Sequence, residues 1–214
     1  MTSLHRLPEL GVDDRAALDA LLDSQWAGVL STVADGEPLA VPMLHARDGD
    51  RVLLHGSTGA GALRRVAAGA PAVLTVFALD GLVVAPTTFE SSVQYRSATV
   101  RGRLVELSAE DRAAALDRFS EVLLPGRTAE VRVSTRKELA ATLAMALPIE
   151  PGGWLLKVAA DGPATPEEAG AEPDVWSGVV PVRTVLGTPV PAPGAEHLPV
   201  PASVVNLRRQ PPRH

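Results

Sequence analysis

The sequence predicts a mainly β fold with peripheral helices, arranged as a small antiparallel barrel of about six to seven strands. Three observations lead there. Asp35-Gly36 stands between two apolar runs, the pattern of a tight hairpin turn. The stretch Val93 to Leu107 alternates, with Tyr95, Ser97, Thr99 and Arg101 on one side and Gln94, Arg96, Ala98 and Val100 on the other. Hydrophobic residues make up 46% of the 214-residue chain but aromatics only 3%, so Val, Ala and Leu must fill the interior.

Taken in order, Asp13 or Asp14 caps a first helix whose Ala17, Leu18, Leu21 and Leu22 form an apolar stripe. Gly28 to Val33 reads as a strand, Asp35-Gly36 as its turn and Pro38 to Ala46 as its partner. Asp48-Gly49-Asp50 leads into a third strand, Arg51 to His55, and a short helix over Ala62 to Ala68 ends at Gly69. Two strands, Ala72 to Phe77 and Gly81 to Ala85, flank a turn at Leu79-Asp80-Gly81. The long strand Val93 to Leu107 carries Gly102, placed for a bulge or bend. Ser108 opens a helix to about Leu124, which Pro125-Gly126 stops, and Ser134-Thr135 opens another from Arg136 to about Ala146. Trp154 to Ala159 is the last strand. Residues 1–162 thus form one domain. Residues 163–214 form an extension rich in Pro, Gly and Ala, whose Trp176 and Val179 to Val185 pack back on the barrel or on a second copy; Arg208 to His214 are expected to be loose.

Composition narrows the function. A formal net charge of −5 lacks the basic footprint of a nucleic-acid binder. No apolar run approaches the roughly 20 residues that cross a bilayer, and the N-terminal stretch has no secretory apolar core. The absence of cysteine removes disulfides, thiolate chemistry and Cys-type zinc sites, so a cytoplasmic protein is expected. His5, His45, His55, His197 and His214 are far apart and show no metal-ligand spacing, so no metal site is expected.

The stretch richest in chemistry is His55-Gly56-Ser57-Thr58-Gly59-Ala60-Gly61-Ala62-Leu63-Arg64. A strand runs into a turn dense in glycine and hydroxyl groups, and the turn opens a helix bearing Arg64 and Arg65. Glycines let the backbone come close to a ligand, the first helical N–H groups point at an anion, and a guanidinium adds bidentate charge. The arrangement suits a phosphate; the alternative is a plain β–α connection with a solvated arginine face. For Arg96, pairing with a phosphate and pairing with a carboxylate such as Glu90 weigh equally.

Four stretches follow one another across most of the chain: Leu30-Ser31-Thr32-Val33 with Pro38 to Pro42; Leu53-Leu54-His55-Gly56 with Gly61-Ala62-Leu63-Arg64; Tyr95-Arg96-Ser97; and Trp176-Ser177-Gly178-Val179-Val180-Pro181. Their order and spacing resemble the pyridoxamine 5′-phosphate oxidase-like, FMN-binding split-barrel family, in particular its flavin-nucleotide-binding and nitroimidazole-resistance-like branch. The resemblance implies a homodimer of split barrels with flavin at the interface. Pro42 and Met43 would line the ring edge through backbone groups. His55, Gly56, Ser57, Gly61 and Arg64 would receive the phosphate and ribityl chain, and Tyr95, Arg96 and Ser97 would flank the flavin.

FMN is the implied cofactor, with a deazaflavin as the alternative; the scarcity of lysine (Lys137 and Lys157 only) hints at a GC-rich genome in which deazaflavins occur. The flavin would carry the chemistry, so no catalytic side chain is identified. The expected activity is oxidation or reduction of a small molecule with electrons from NAD(P)H, which would bind transiently because no GxGxxG stands between a strand and a helix. A non-catalytic flavin carrier or sensor is the other reading. Relatives commonly read F-H-H-S-x-N-Y-R-S where this chain has Phe89-Glu90-Ser91-Ser92-Val93-Gln94-Tyr95-Arg96-Ser97, which implies a different substrate or lost chemistry. No second cluster of Arg, Lys and Ser is evident for a substrate phosphate, so pyridoxamine 5′-phosphate oxidation itself is not expected.

Overall fold

Two antiparallel sheets of seven and four strands share one core, split apart instead of closing into a single barrel. The computed structural model describes residues 7–209 apart from 35, 60 and 173. Asp14 caps α1 (Arg15–Ser24), accepting from the Ala16 N–H at 2.8 Å, and the helix buries Leu18, Leu21 and Leu22. It packs against strands of both sheets; in the larger one β1 (Gly11–Val12), β10 (Trp154–Ala159), β7 (Ser92–Arg103), β6 (Pro71–Val84), β2 (Ala27–Ala34) and β3 (Glu37–Leu44) lie in that order. The hairpin forms: Ala34 pairs with Glu37 and Gly36 has φ 83°, which glycine alone adopts without strain, while Asp35 lies outside the described residues. The small sheet runs β4 (Ala46–Asp48), β5 (Arg51–Ser57), β9 (Thr142–Pro148), β8 (Val105–Glu106).

The small sheet is buried on both faces. Val52 and Leu54, with Leu143, Met145 and Leu147, enter the main core; Leu53, Ala144 and Ala146 meet Phe119 and Ala115 of α3 (Ala109–Leu123) instead. That two-sided burial explains one departure from expectation. The helix opened by Thr135, α4 (Arg136–Ala141), carries the capping box but stops at Ala141, and the residues expected to extend it become β9. Leu-Ala-Met-Ala-Leu has no polar alternation and good helix formers, so periodicity could not tell strand from helix; burial between two layers decided it.

Other strand boundaries also differ. The expected strand Pro38 to Ala46 is broken at His45, whose N–H donates to the Trp26 carbonyl at 2.9 Å and whose Nε2 meets the Leu22 carbonyl at 3.0 Å; beyond it the chain enters the small sheet as β4. The two strands expected around Leu79-Asp80-Gly81 are one strand, β6, with a bulge between Leu79 and Gly81. The long strand breaks at buried Leu104, not at Gly102, and continues as β8 in the other sheet. Between the small sheet's β5 and β6 lies α2 (Gly61–Ala67). In the extension, β11 (Gly178–Pro181) adds to β6, and α5 (Ala202–Arg209) is tied down by Ser203, whose N–H and hydroxyl both donate to Glu130 at 2.9 and 2.6 Å. Among the described residues no helix is long and apolar enough to cross a membrane.

Candidate functional site

The site expected from sequence divides into three places. The β5–α2 turn holds His55, Gly56, Ser57, Gly61 and Arg64. Alternation along β5 sends successive side chains to opposite faces. His55 therefore faces α3, packing edge-on against Phe119 at 4.4 Å and 83°. Burial holds its pKa below the usual histidine value, so the ring is neutral at pH 7. Gly56 faces the main core, and a Cβ there would run into Leu63 Cδ1 of α2. The bare glycine leaves room for the Leu63 side chain of α2.

The turn itself is anchored. Thr58 donates through its N–H and hydroxyl to the Ala141 carbonyl at 3.2 and 3.3 Å, and the Ser57 hydroxyl accepts from the Gly59 N–H at 3.1 Å. Arg64 is exposed at a cavity of about 570 Å³ that Thr58, Ala67, Glu106 and Leu143 also line. Among the described residues no carboxylate lies within ion-pair distance of Arg64; Glu106 is nearest to Arg112, at 3.7 Å. The turn thus brings the Arg64 guanidinium and Thr58 to the same cavity.

Pro42, Tyr95 and Ser97 lie elsewhere, on the outer face of the large sheet. Register places Pro42 opposite Val29, Ser97 opposite Phe77 and Lys157, and Tyr95 opposite Leu79 and Ala159. Tyr95 stacks on Phe77 at 5.7 Å, and Phe77 is 52% exposed, so an aromatic pair stands on an open, largely apolar face. β3 is the edge strand, which is why Pro38 and Pro42 are tolerated and why its far-side backbone groups pair with nothing among the described residues. Met43, one residue on, turns its side chain into the core. Only its backbone is available to a ligand.

Arg96 forms the third place. Its Nε and Nη2 both donate to Asp80, each at 2.8 Å, on the bulge of β6. Glu90, the partner weighed from sequence, accepts from the Thr87 hydroxyl instead. Sequence reasoning missed Asp80 because it placed that residue in a turn; once β6 runs straight through, Asp80 and Arg96 face each other. It also missed Arg101 and Arg103, which line a cleft on the same outer face as Tyr95 and Ser97. The alternation of the long strand already placed Arg101 there. Among the described residues no three of His, Asp or Glu gather as metal ligands.

Comparison with known proteins adds to this geometry. The family model for pyridoxamine 5′-phosphate oxidase matches residues 14–152. No curated protein matches the sequence. The structure of the FAD and heme binding protein from Mycobacterium smegmatis is 44% identical, with a TM-score of 0.87 over 92% of this chain and 96% of that one. A flavocytochrome from Azotobacter vinelandii is 29% identical, with a TM-score of 0.86 over 95% of this chain and 94% of its own. A candidate 5-nitroimidazole antibiotic resistance protein from Bacteroides thetaiotaomicron VPI-5482 is 18% identical over 69% of this chain and 86% of that one, with a TM-score of 0.58, a likeness of fold alone. The first two alignments cover so much of the chain that they run well into the extension after residue 162.

Proposed function

Because the chain belongs to the pyridoxamine 5′-phosphate oxidase family, we propose that it is a flavin-binding redox protein working as a homodimer, with a heme as a second group. The observation that carries this reading is the exposed Arg64, which lines a cavity together with Thr58. A guanidinium and hydroxyls suit the phosphate that every flavin nucleotide carries. The outer face, with Phe77 and Tyr95 stacked and Val29, Leu79 and Leu82 exposed, has the character of a surface that a second copy covers. In such a dimer the edge of β3 at Pro42 and Met43 and the strand bearing Tyr95 and Ser97 would meet the flavin ring. Arg96 would hold its strand through Asp80 without touching the ligand.

The resemblance alone suggests FMN; the FAD of the 44% identical protein makes the dinucleotide the stronger reading. The flavin, when bound, supplies hydride and single-electron chemistry. The chain's own groups bind and orient: Arg64 and Ser57 fix the phosphate, while the apolar outer face excludes water. NAD(P)H is the proposed electron source, a small molecule the acceptor and the cytoplasm the location. For heme, a neutral imidazole is one of the side chains that can hold the iron. Among the described histidines His45 spends Nε2 on the Leu22 carbonyl inside the core, His55 packs against Phe119 of α3, and His197 is exposed on the extension, so no one of them is assigned to the heme.

The visible spectrum of the purified protein tests the reading. Flavin bands together with a heme Soret band, flavin identity set by chromatography of the released cofactor, and bleaching by NAD(P)H are expected. R64M should weaken flavin binding about tenfold or more. Bands that never bleach would leave a carrier or sensor; a deazaflavin in the extract would replace FAD; a colourless protein that takes up no flavin would sink the proposal.

A further inference from the structure

Strand β7 sets Arg101 and Arg103 two residues apart, so both side chains leave the outer face of the large sheet. Pairing places Ser31, Val73 and Arg101 in a row across β2, β6 and β7. With Val33, Arg103 and Gly153 they line a cleft of about 690 Å³, the size that small organic ligands fill. A Cβ on Gly153 would come within 3.1 Å of the Glu150 carbonyl and 3.2 Å of the Arg101 carbonyl, so the bare glycine lets the β9–β10 turn close one end of the cleft. Among the described residues no carboxylate lines it.

Arg101 is the group left unexplained. It is half-buried; its Nε is shut off from water and has no acceptor, and no carboxylate reaches its guanidinium among the described residues. A guanidinium N–H withdrawn from water without an acceptor costs free energy that a hydrogen-bonding partner would restore. Arg103 gives one N–H to the Gly69 carbonyl and keeps the rest of its fork. Thr32 spends its hydroxyl on the Pro71 carbonyl at 2.7 Å, whereas Ser31 brings a hydroxyl to the row of Arg101.

We infer that this cleft binds a small organic oxyanion, a carboxylate or phosphate on an apolar body. Arg101 grips the oxyanion with Arg103 and Ser31 beside it, and the body lies on Val33 and Val73. The cleft shares no lining residue with the cavity at Arg64. Ser31 and Arg101 are brought together only by the pairing of β2, β6 and β7. The chain therefore holds the second cluster of Arg and Ser that the linear sequence concealed.

Calorimetric titration of the purified full-length protein with inorganic pyrophosphate, and separately with succinate, tests the inference. Saturable binding of at least one probe is expected, with pyrophosphate favoured by a phosphate site and succinate by a carboxylate site. R101M should weaken it tenfold or more, and R101K by less because the fork is lost but the charge is kept. Unliganded R101M should melt no lower than the parent, since it loses an unpaired cation, and the probe should raise the melting temperature of the parent only. Three results would overturn the inference: no saturable binding of either probe; binding lost in R64M but kept in R101M; or a weaker dimer in R101M with probe affinity unchanged, which would make Arg101 a partner contact.

Discussion

Replacing Gly56 with alanine separates a packing role from a ligand role at the most conspicuous turn of the chain. The added Cβ would collide with Leu63 Cδ1 while standing 3.8 Å from Leu63 Cγ, an ordinary contact, so one methyl group has to move. Leu63 is only 7% exposed and packed in the main core, so it cannot swing into solvent. Forcing it off its rotamer and crowding its neighbours costs about 1–3 kcal/mol. Removing the methyl by L63A costs about 2–5 kcal/mol by itself, but in that background the alanine at 56 meets open space. The double variant should therefore be no less stable than L63A alone. Urea unfolding of the four proteins gives a coupling energy expected to be about 1–3 kcal/mol. G56A as stable as the parent, or a penalty that persists unchanged without the Leu63 side chain, would refute the packing account. Normal stability combined with lost flavin binding would return Gly56 to the ligand.

Two pH dependences follow from buried or hydrogen-bonded groups. Desolvation lowers the His45 pKa below its model-compound value of 6.5, with the Leu22 bond opposing it. The unfolded chain then takes the proton first, and stability should fall as pH drops through about 6.5, by up to about 1.4 kcal/mol per pH unit. H45L, less stable at pH 7.5 because Leu22 loses its donor, should show a flatter stability profile between pH 7.5 and 5; an identical slope would refute the assignment. Glu130 runs the other way: the donors from Ser203, then Arg127, hold its carboxyl below the usual glutamate value. Its hold on α5 is complete above the ordinary glutamate range and lost as pH falls below it. Hydrogen exchange in residues 202–209 should rise in acid, and S203A should reproduce that rise at neutral pH.

Local signals were strong where they are self-contained. Asp14, Ser108 and Thr135 cap the helices the sequence assigns them, because a cap needs only residues within one turn. The alternation of Val93 to Leu107 correctly separates Tyr95 and Ser97 from buried Ala98 and Val100. The failures all depend on partners far along the chain. β9 reads as helix because both of its faces are covered by other segments. Asp80 reads as turn because its reason for lying in a strand is Arg96, sixteen residues on. His45 reads as strand because the carbonyl that bends the chain there belongs to Leu22, in α1. At the candidate site the phosphate turn was legible as a motif, but the side to which each residue points was not: His55 toward Phe119, Gly56 toward Leu63, Met43 into the core.

The cavity at Arg64 has an order of assembly built into it. Thr58 and Arg64 follow β5, Glu106 ends β8 and Leu143 begins β9, and β5 meets β9 through pairs such as His55 with Ala144, almost 90 residues apart. Closing so long a loop costs chain entropy before any contact offsets it, so pairing of this kind comes late in folding. During synthesis the helix α1 and the hairpin of β2 and β3 can form early from neighbouring residues. The walls around Arg64 cannot exist until residue 148 has left the ribosome, which makes the binding turn one of the last parts of the molecule to acquire its shape.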